Sequence, residues 1–114
     1  MGSRPPSEPG QAGNRKLIPR QLPAGLKAYK RTPDFTPGNL PAALQSQHST
    51  KAGVWGLLQV LEGQVIYHLA APHDASAIAN AGETIVILPE IIHWVEFVIP
   101  GRFYVEFYRA AVSE

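Results

Sequence analysis

Short runs of β-branched and aromatic residues, broken by turn residues, fill the chain from residue 53 to residue 109 and constrain its fold more than any other feature. The breaks recur about every ten residues, and no run shows the 3.6-residue apolar periodicity of an amphipathic helix. The turn signals are Glu62-Gly63, Pro72-His73-Asp74, Ala81-Gly82, Pro89-Glu90 and Pro100-Gly101. Such spacing predicts an all-β sandwich or barrel.

The runs between these breaks are the predicted strands, at 53–61, 64–70, 76–79, 84–88, 92–99 and 102–109. Residues 26–31 are predicted as an edge strand, because prolines surround them and proline is tolerated at sheet edges. Residues 42–50 are expected to be extended and to lead into the first of the runs.

The N-terminal part of the chain differs in composition from the rest. Eight of the eleven prolines lie in the first 41 residues, and residues 1–31 hold seven of the ten basic residues with one acid. Residues 1–20 offer almost nothing to bury, so we expect a disordered basic tail there. Residues 21–114 are then expected to form one domain, which suits a chain of 114 residues.

Composition excludes several classes of protein. The chain has no cysteine, which rules out disulfides and thiolate metal sites and favours a cytoplasmic location. No apolar run approaches the roughly 18–20 residues that cross a bilayer, so no membrane partner is expected. The basic residues of the tail are dispersed with no aromatic among them before Tyr29, so nucleic acid is not expected as a partner. The chain also lacks a nucleophile elbow, a P-loop and a dinucleotide-binding loop.

Two histidines remain as candidates for chemistry. His93 stands at the start of a predicted strand, with Val95 and Phe97 on the same face, and in a small barrel it would point inward near the mouth. His48 precedes an earlier predicted strand. Two such imidazoles from separate strands could converge on one divalent metal ion, and imidazole suits Zn, Fe, Ni or Cu.

The stretches HSTKAGVWGLLQVLEG (residues 48–63) and GETIVILPEIIHWVEF (residues 82–97) resemble the paired motifs of the cupin superfamily. The second motif is kept as Gly82, Pro89 and His93. The first keeps His48, but Thr50 stands where the family has a second histidine. The resemblance implies a single-domain cupin fold, a double-stranded β-helix or jelly-roll barrel.

A more specific resemblance is to the TehB/YeaR-like family of small cupins. It runs from about Leu22 to Arg109 through LPAGLKAYKRTPDFT, HSTKAGVWGLLQVLEG, LPEIIHWVEF and RFYVEFYRA. It implies a conical barrel with a metal site in the lumen. The function we expect from it is a metal-binding cupin that takes a small molecule or an anion in the barrel, with a link to tellurite or oxidative stress.

Glu106 is the first candidate for a third metal ligand. It alternates with apolar residues on a predicted strand, where a buried carboxylate is costly unless it is paired or coordinated. An ion pair with Arg102 or Arg109 on an outer face is the alternative. His68 and Glu96 are weaker candidates. Glu96 lies three residues from His93 and therefore faces the other way, and His68 is a lone histidine on a strand.

Two other kinds of function stay open. A metal-dependent enzyme, such as a dioxygenase or an isomerase, would use the same ligands, with Tyr104, Tyr108 and Lys51 as its remaining polar groups. A metal-free sensor or interaction module would associate through strand edges and apolar faces. Under every alternative we expect a homodimer.

Overall fold

Five β-strands account for most of the computed structural model, which describes residues 18–45 and 49–111. The strands are β1 (Leu26–Arg31), β2 (Trp55–Leu69), β3 (Ala75–Asn80), β4 (Thr84–Ile87) and β5 (His93–Ala110), and a one-turn helix, α1, spans Ala42–Gln45. Every pairing between these strands is antiparallel. The predicted all-β class is confirmed, as one antiparallel β domain.

The long strands β2 and β5 form the centre of the sheet, whose order is β1-β5-β2-β3. On the side of β2 away from β5, β4 pairs with residues 56–59 of β2 and β3 pairs with residues 64–69. Strand β1 pairs with β5 at the border of the sheet. The edge strand predicted for Leu26–Arg31 is therefore confirmed, with the same bounds.

A shared bulge bends β2 and β5 at their midpoints. The sequence predicted turns at Glu62-Gly63 and Pro100-Gly101, but the structure continues both strands through these positions and pairs Glu62 with Arg102. The register shifts between Val60 and Val65, and Gly63 has a φ of 80°. A glycine with positive φ can bend a strand without ending it, so the turn signal marks a bend.

This bend allows one core to receive side chains from both halves of β2. Leu58 and Val60 are buried before the bulge, and Val65 and Tyr67 are buried after it, so the buried positions change from even to odd numbers. In a strand without a bulge the same change would send half of these side chains to the opposite face.

The segment after β1 closes over the bulge. Phe35 and Phe103 exchange two backbone hydrogen bonds, of 2.7 and 3.0 Å, and their rings meet edge to face with centroids 5.7 Å apart. Arg102 donates to Asp34 at 2.9 Å and to Glu62 at 3.0 Å. These contacts join residues that lie far apart in the chain at the point where β2 and β5 bend.

Residues 42–45 depart from the sequence prediction, because they form α1 and are not extended. Pro41 precedes the helix, its carbonyl accepts from the Leu44 amide at 2.9 Å, and proline is well tolerated at the start of a helix. Within residues 18–45 and 49–111, no helix is long and apolar enough to cross a membrane. The tail predicted for residues 1–20 lies mostly outside the described residues, although Ile18 packs into the core.

Candidate functional site

His93 is the most buried ionisable side chain that the sequence singled out, with 2% of its surface exposed. It begins β5 and faces inward with Val95 as predicted, since Val95 is buried too. Its Nδ1 lies 3.0 Å from the carbonyl oxygen of Ile91. A carbonyl oxygen can only accept, so Nδ1 carries the proton of this hydrogen bond.

The cavity beside His93 is small and apolar. Its volume is about 40 Å³, and His93 is the one titratable group among the described residues that line it. Thr32 and Thr50 are the other polar side chains there. Small-molecule sites commonly enclose roughly 300–1,000 Å³. The cavity beside His93 is therefore far smaller than a typical small-molecule site.

Tyr67 is a second buried polar group. Its side chain is fully buried, and its ring centroid lies 5.1 Å from that of His93. Burial raises the pKa of the phenol, and the nearby Leu88 amide offsets part of that rise. Among the described residues, however, the hydroxyl has no hydrogen bond of ordinary geometry. The sequence offered one signal for the pair of Tyr67 and His93: Tyr67 stands at a buried position of an alternating strand.

Glu106 lies on the face of β5 opposite to His93. It alternates with Val105 and Phe107, which line the cavity. Its carboxylate accepts a hydrogen bond of 2.9 Å from Tyr108. Desolvation, and secondly this carboxylate, raises the pKa of Tyr108. The structure does not bring Glu106 to His93, and His48 lies outside the described residues.

The two weaker candidates, His68 and Glu96, meet on the outer face of the sheet. Nε2 of His68 lies 2.9 Å from Oε2 of Glu96, and the His68 ring stacks on Trp94 with centroids 4.7 Å apart. Neither residue lines the cavity beside His93. His73, in the predicted turn Pro72-His73-Asp74, is exposed.

The described architecture is thus that of a small antiparallel β domain with a packed interior and one buried histidine. A family model described as a TehB-like domain matches residues 30–105, more than half of the chain. The chain belongs to the TehB-like family.

Curated relatives match a shorter stretch. The probable S-adenosyl-L-methionine-dependent methyltransferase TehB of Haemophilus influenzae (strain ATCC 51907 / DSM 11121 / KW20 / Rd) is 44% identical over 53 residues, which are 46% of this chain and 18% of the relative. The same protein from strain 10810 is 42% identical over 53 residues. The chain therefore spans less than a fifth of the length of these relatives.

Similar solved structures include the following two. A crystal structure of an Escherichia coli K12 protein has a TM-score of 0.75 and 27% identity, covering 81% of this chain and 98% of that one. The crystal structure of TehB from Haemophilus influenzae has a TM-score of 0.69 and 29% identity, covering 76% of this chain and 32% of that one.

These findings correct the expected function and cofactor. The prediction of a metal-binding cupin with a divalent metal is wrong: the curated relatives are named as S-adenosyl-L-methionine-dependent methyltransferases. In the part of the chain that the structure describes, no three His, Cys, Asp or Glu side chains are grouped to hold a metal. The physical reason is strand alternation, which places His93 inside and Glu106 outside.

Proposed function

We propose that this chain acts in S-adenosylmethionine-dependent methyl transfer, as a non-catalytic binding domain that supports the catalytic part of such an enzyme. The observation that carries the proposal is the match to the TehB-like family over residues 30–105. The 44% identity to a probable TehB methyltransferase supports the same setting.

The described residues do not fit S-adenosylmethionine itself. Nucleotide-like cofactors are commonly held by a glycine-rich loop that joins a parallel strand to the N-terminus of a helix. Here the described strands pair antiparallel, and α1 has four residues. The cavity of about 40 Å³ beside His93 is also far too small for the cofactor. We therefore assign cofactor binding and methyl transfer to the catalytic part, and binding through its surface to this domain.

We also propose that the sheet closes as a jelly-roll barrel. The support is the bend in β2 and β5, which lets β3 and β4 pair with opposite halves of β2 while all of these strands contribute to one core. Closure into two facing layers removes most exposed strand edges.

A cytoplasmic location stays a prediction from the cysteine-free sequence.

Calorimetric titration with S-adenosylmethionine tests the proposed division of roles. The purified chain is titrated beside whole TehB from Haemophilus influenzae as the control. We expect binding to whole TehB, and for this chain a Kd weaker than about 1 mM, which corresponds to roughly 4 kcal/mol. Micromolar, stoichiometric binding to this chain would place the cofactor site in the domain and contradict the proposal.

A further inference from the structure

Strand β3 forms a border of the sheet with an unusual composition for an exposed edge. In the described part of the chain it pairs with β2 alone. Its sequence, ASAIAN, contains no charged residue and no proline. Ala75, Ala77 and Ala79 face the core, and Ile78 on the outer face is 50% exposed. A smooth, uncharged edge of this kind is suited to pairing with another strand.

The opposite border, β1, is protected against such pairing. It carries Lys27, Lys30 and Arg31, and its pairing with β5 contains a register shift between Ala28 and Lys30. Two copies of β1 placed side by side would bring six positive charges together. Two copies of β3 itself would bring none, so electrostatics favours β3 over β1 as the edge that meets its own copy. Arg20 and Glu83 are the charged residues that line the groove beside β3.

Among the described residues, a groove of about 550 Å³ runs beside β3. Ala77, Ile78 and Asn80 line it together with residues 18–20 and 82–85. At one end of the strand, the Asn80 amide donates to Oε1 of Glu83 at 2.7 Å and its carbonyl accepts from the Glu83 amide at 2.9 Å. Since backbone groups alternate in direction along a strand, Ser76 and Ile78 present theirs to the same side as Asn80.

We propose that β3 pairs with β3 of a second copy of this chain, antiparallel about a two-fold axis that passes beside Ala77. This register keeps the hydrogen bonds between Asn80 and Glu83, and it pairs the free edge through the backbone groups of Ser76 and Ile78. The Ile78 amide of each copy donates to the Ser76 carbonyl of the other, and the Ser76 amide donates to the Ile78 carbonyl. Ala77 lies opposite the partner's Ala77, and the two sheets become continuous.

Removal of one edge donor tests the pairing. The substitution Ile78→Pro deletes an amide that points away from β2, so the ladder within the domain is kept. By sedimentation equilibrium we expect the parent to reach twice the 12.4 kDa mass of the chain, and the variant to stay at 12.4 kDa. The control Val98→Lys changes a side chain that is equally exposed, at 51%, but lies on β5, and it should dimerise like the parent.

A cysteine cross-link tests the register independently of that variant. The chain has no cysteine, so Ala77→Cys introduces a single thiol directly opposite its copy, at a separation that suits a disulfide. With oxidised glutathione we expect Ala77→Cys to form a linked dimer at least ten times faster than Val98→Cys. Three results would overturn the proposal: a monomeric parent at about millimolar concentration, a dimeric Ile78→Pro variant, or equal cross-linking rates. A monomeric parent would leave the edge to another occupant, such as residues 1–17.

Discussion

Buried polar side chains are the residues that distinguish this core from a purely apolar one. His93 and Tyr67 lie side by side, and both are almost fully buried. Nδ1–H of His93 donates a hydrogen bond to the Ile91 carbonyl, whereas the Tyr67 hydroxyl has no regular hydrogen bond among the described residues. The two residues should therefore respond to substitution in opposite ways.

Tyr67→Phe is expected to preserve or raise stability at neutral pH. It removes a hydroxyl that lacks a regular hydrogen-bond partner, and removal of such a buried group is worth up to about 1 kcal/mol of stability.

The raised pKa of Tyr67 predicts a loss of stability at high pH. Because the unfolded chain releases this proton near pH 10.0, the parent should lose stability as the pH rises above that value.

The measurement is urea denaturation at pH 7 and at pH 10.5, with Tyr29→Phe as the control because Tyr29 is exposed. Tyr67→Phe should lose less stability between the two pH values than the parent and the control do. An equal loss in all three proteins would show that Tyr67 ionisation does not contribute to alkaline unfolding.

His93→Ala is expected to destabilise the domain by about 2–4 kcal/mol, because it empties a packed position and leaves the Ile91 carbonyl without its donor. His73→Ala, at an exposed turn, should change stability by less than about 0.5 kcal/mol. Thermal unfolding monitored by circular dichroism gives both values. Equal Tm values for the two variants would mean that His93 is not a packing residue.

The inward direction of His93 was predictable from sequence, since strand alternation with Val95 decides it. The expectation that His93 and Glu106 share a metal was wrong, because that pairing was chosen from residue chemistry alone. The position of Glu106 between Val105 and Phe107 already placed it on the other face once those two residues were assigned to the core.

At the scale of the elements, the bulge shared by β2 and β5 organises the sheet. Gly63 and Gly101 lie where the two strands pack closely, and at each a side chain would meet backbone atoms of the other strand. Gly63 also has positive φ, so it is constrained twice.

Gly63→Ala should therefore cost more than an alanine at a glycine with the same backbone conformation but open surroundings. A Cβ at Gly63 would meet the carbonyl oxygens of Ile99 and Pro100, the latter at 2.6 Å, whereas at Gly53 (φ 77°) it would meet nothing within 4 Å. We expect about 1 kcal/mol for Gly53→Ala and at least 3 kcal/mol for Gly63→Ala.

Urea denaturation midpoints of the two variants check this difference. Similar midpoints would mean that the strands separate easily at the bulge and that the bend is not held by close backbone packing.

The bulge also marks the limit of the strand prediction. Glu62-Gly63 and Pro100-Gly101 have the composition of turns, and local sequence does not distinguish a turn from a bend that a neighbouring strand continues across. The decisive information is the pairing of Glu62 with Arg102, forty residues apart. Strand β1, whose basic residues and flanking prolines are local signals of an edge, was predictable in full.

At the scale of the whole molecule, the family and the all-β class were predictable, but the expected chemistry was wrong. The motifs around His48 and His93 carried the resemblance to the TehB-like family, and the family match over residues 30–105 confirms it. The expected metal required three side chains to meet, which spacing along the chain does not determine. In its place we propose a supporting role in methyl transfer for this domain.

Segment exchange tests that role most directly. The 53-residue matching segment of Haemophilus influenzae TehB is replaced by the matching segment of this chain, and, as a control, by an unrelated β domain of similar size. Methyl transfer is followed as release of S-adenosylhomocysteine, with whichever acceptor the parent enzyme uses. We expect the exchanged enzyme to keep at least a tenth of the parent kcat/KM with an unchanged KM for S-adenosylmethionine. The control should lose a hundredfold or more. Equal activity in the exchanged enzyme and the control would contradict it.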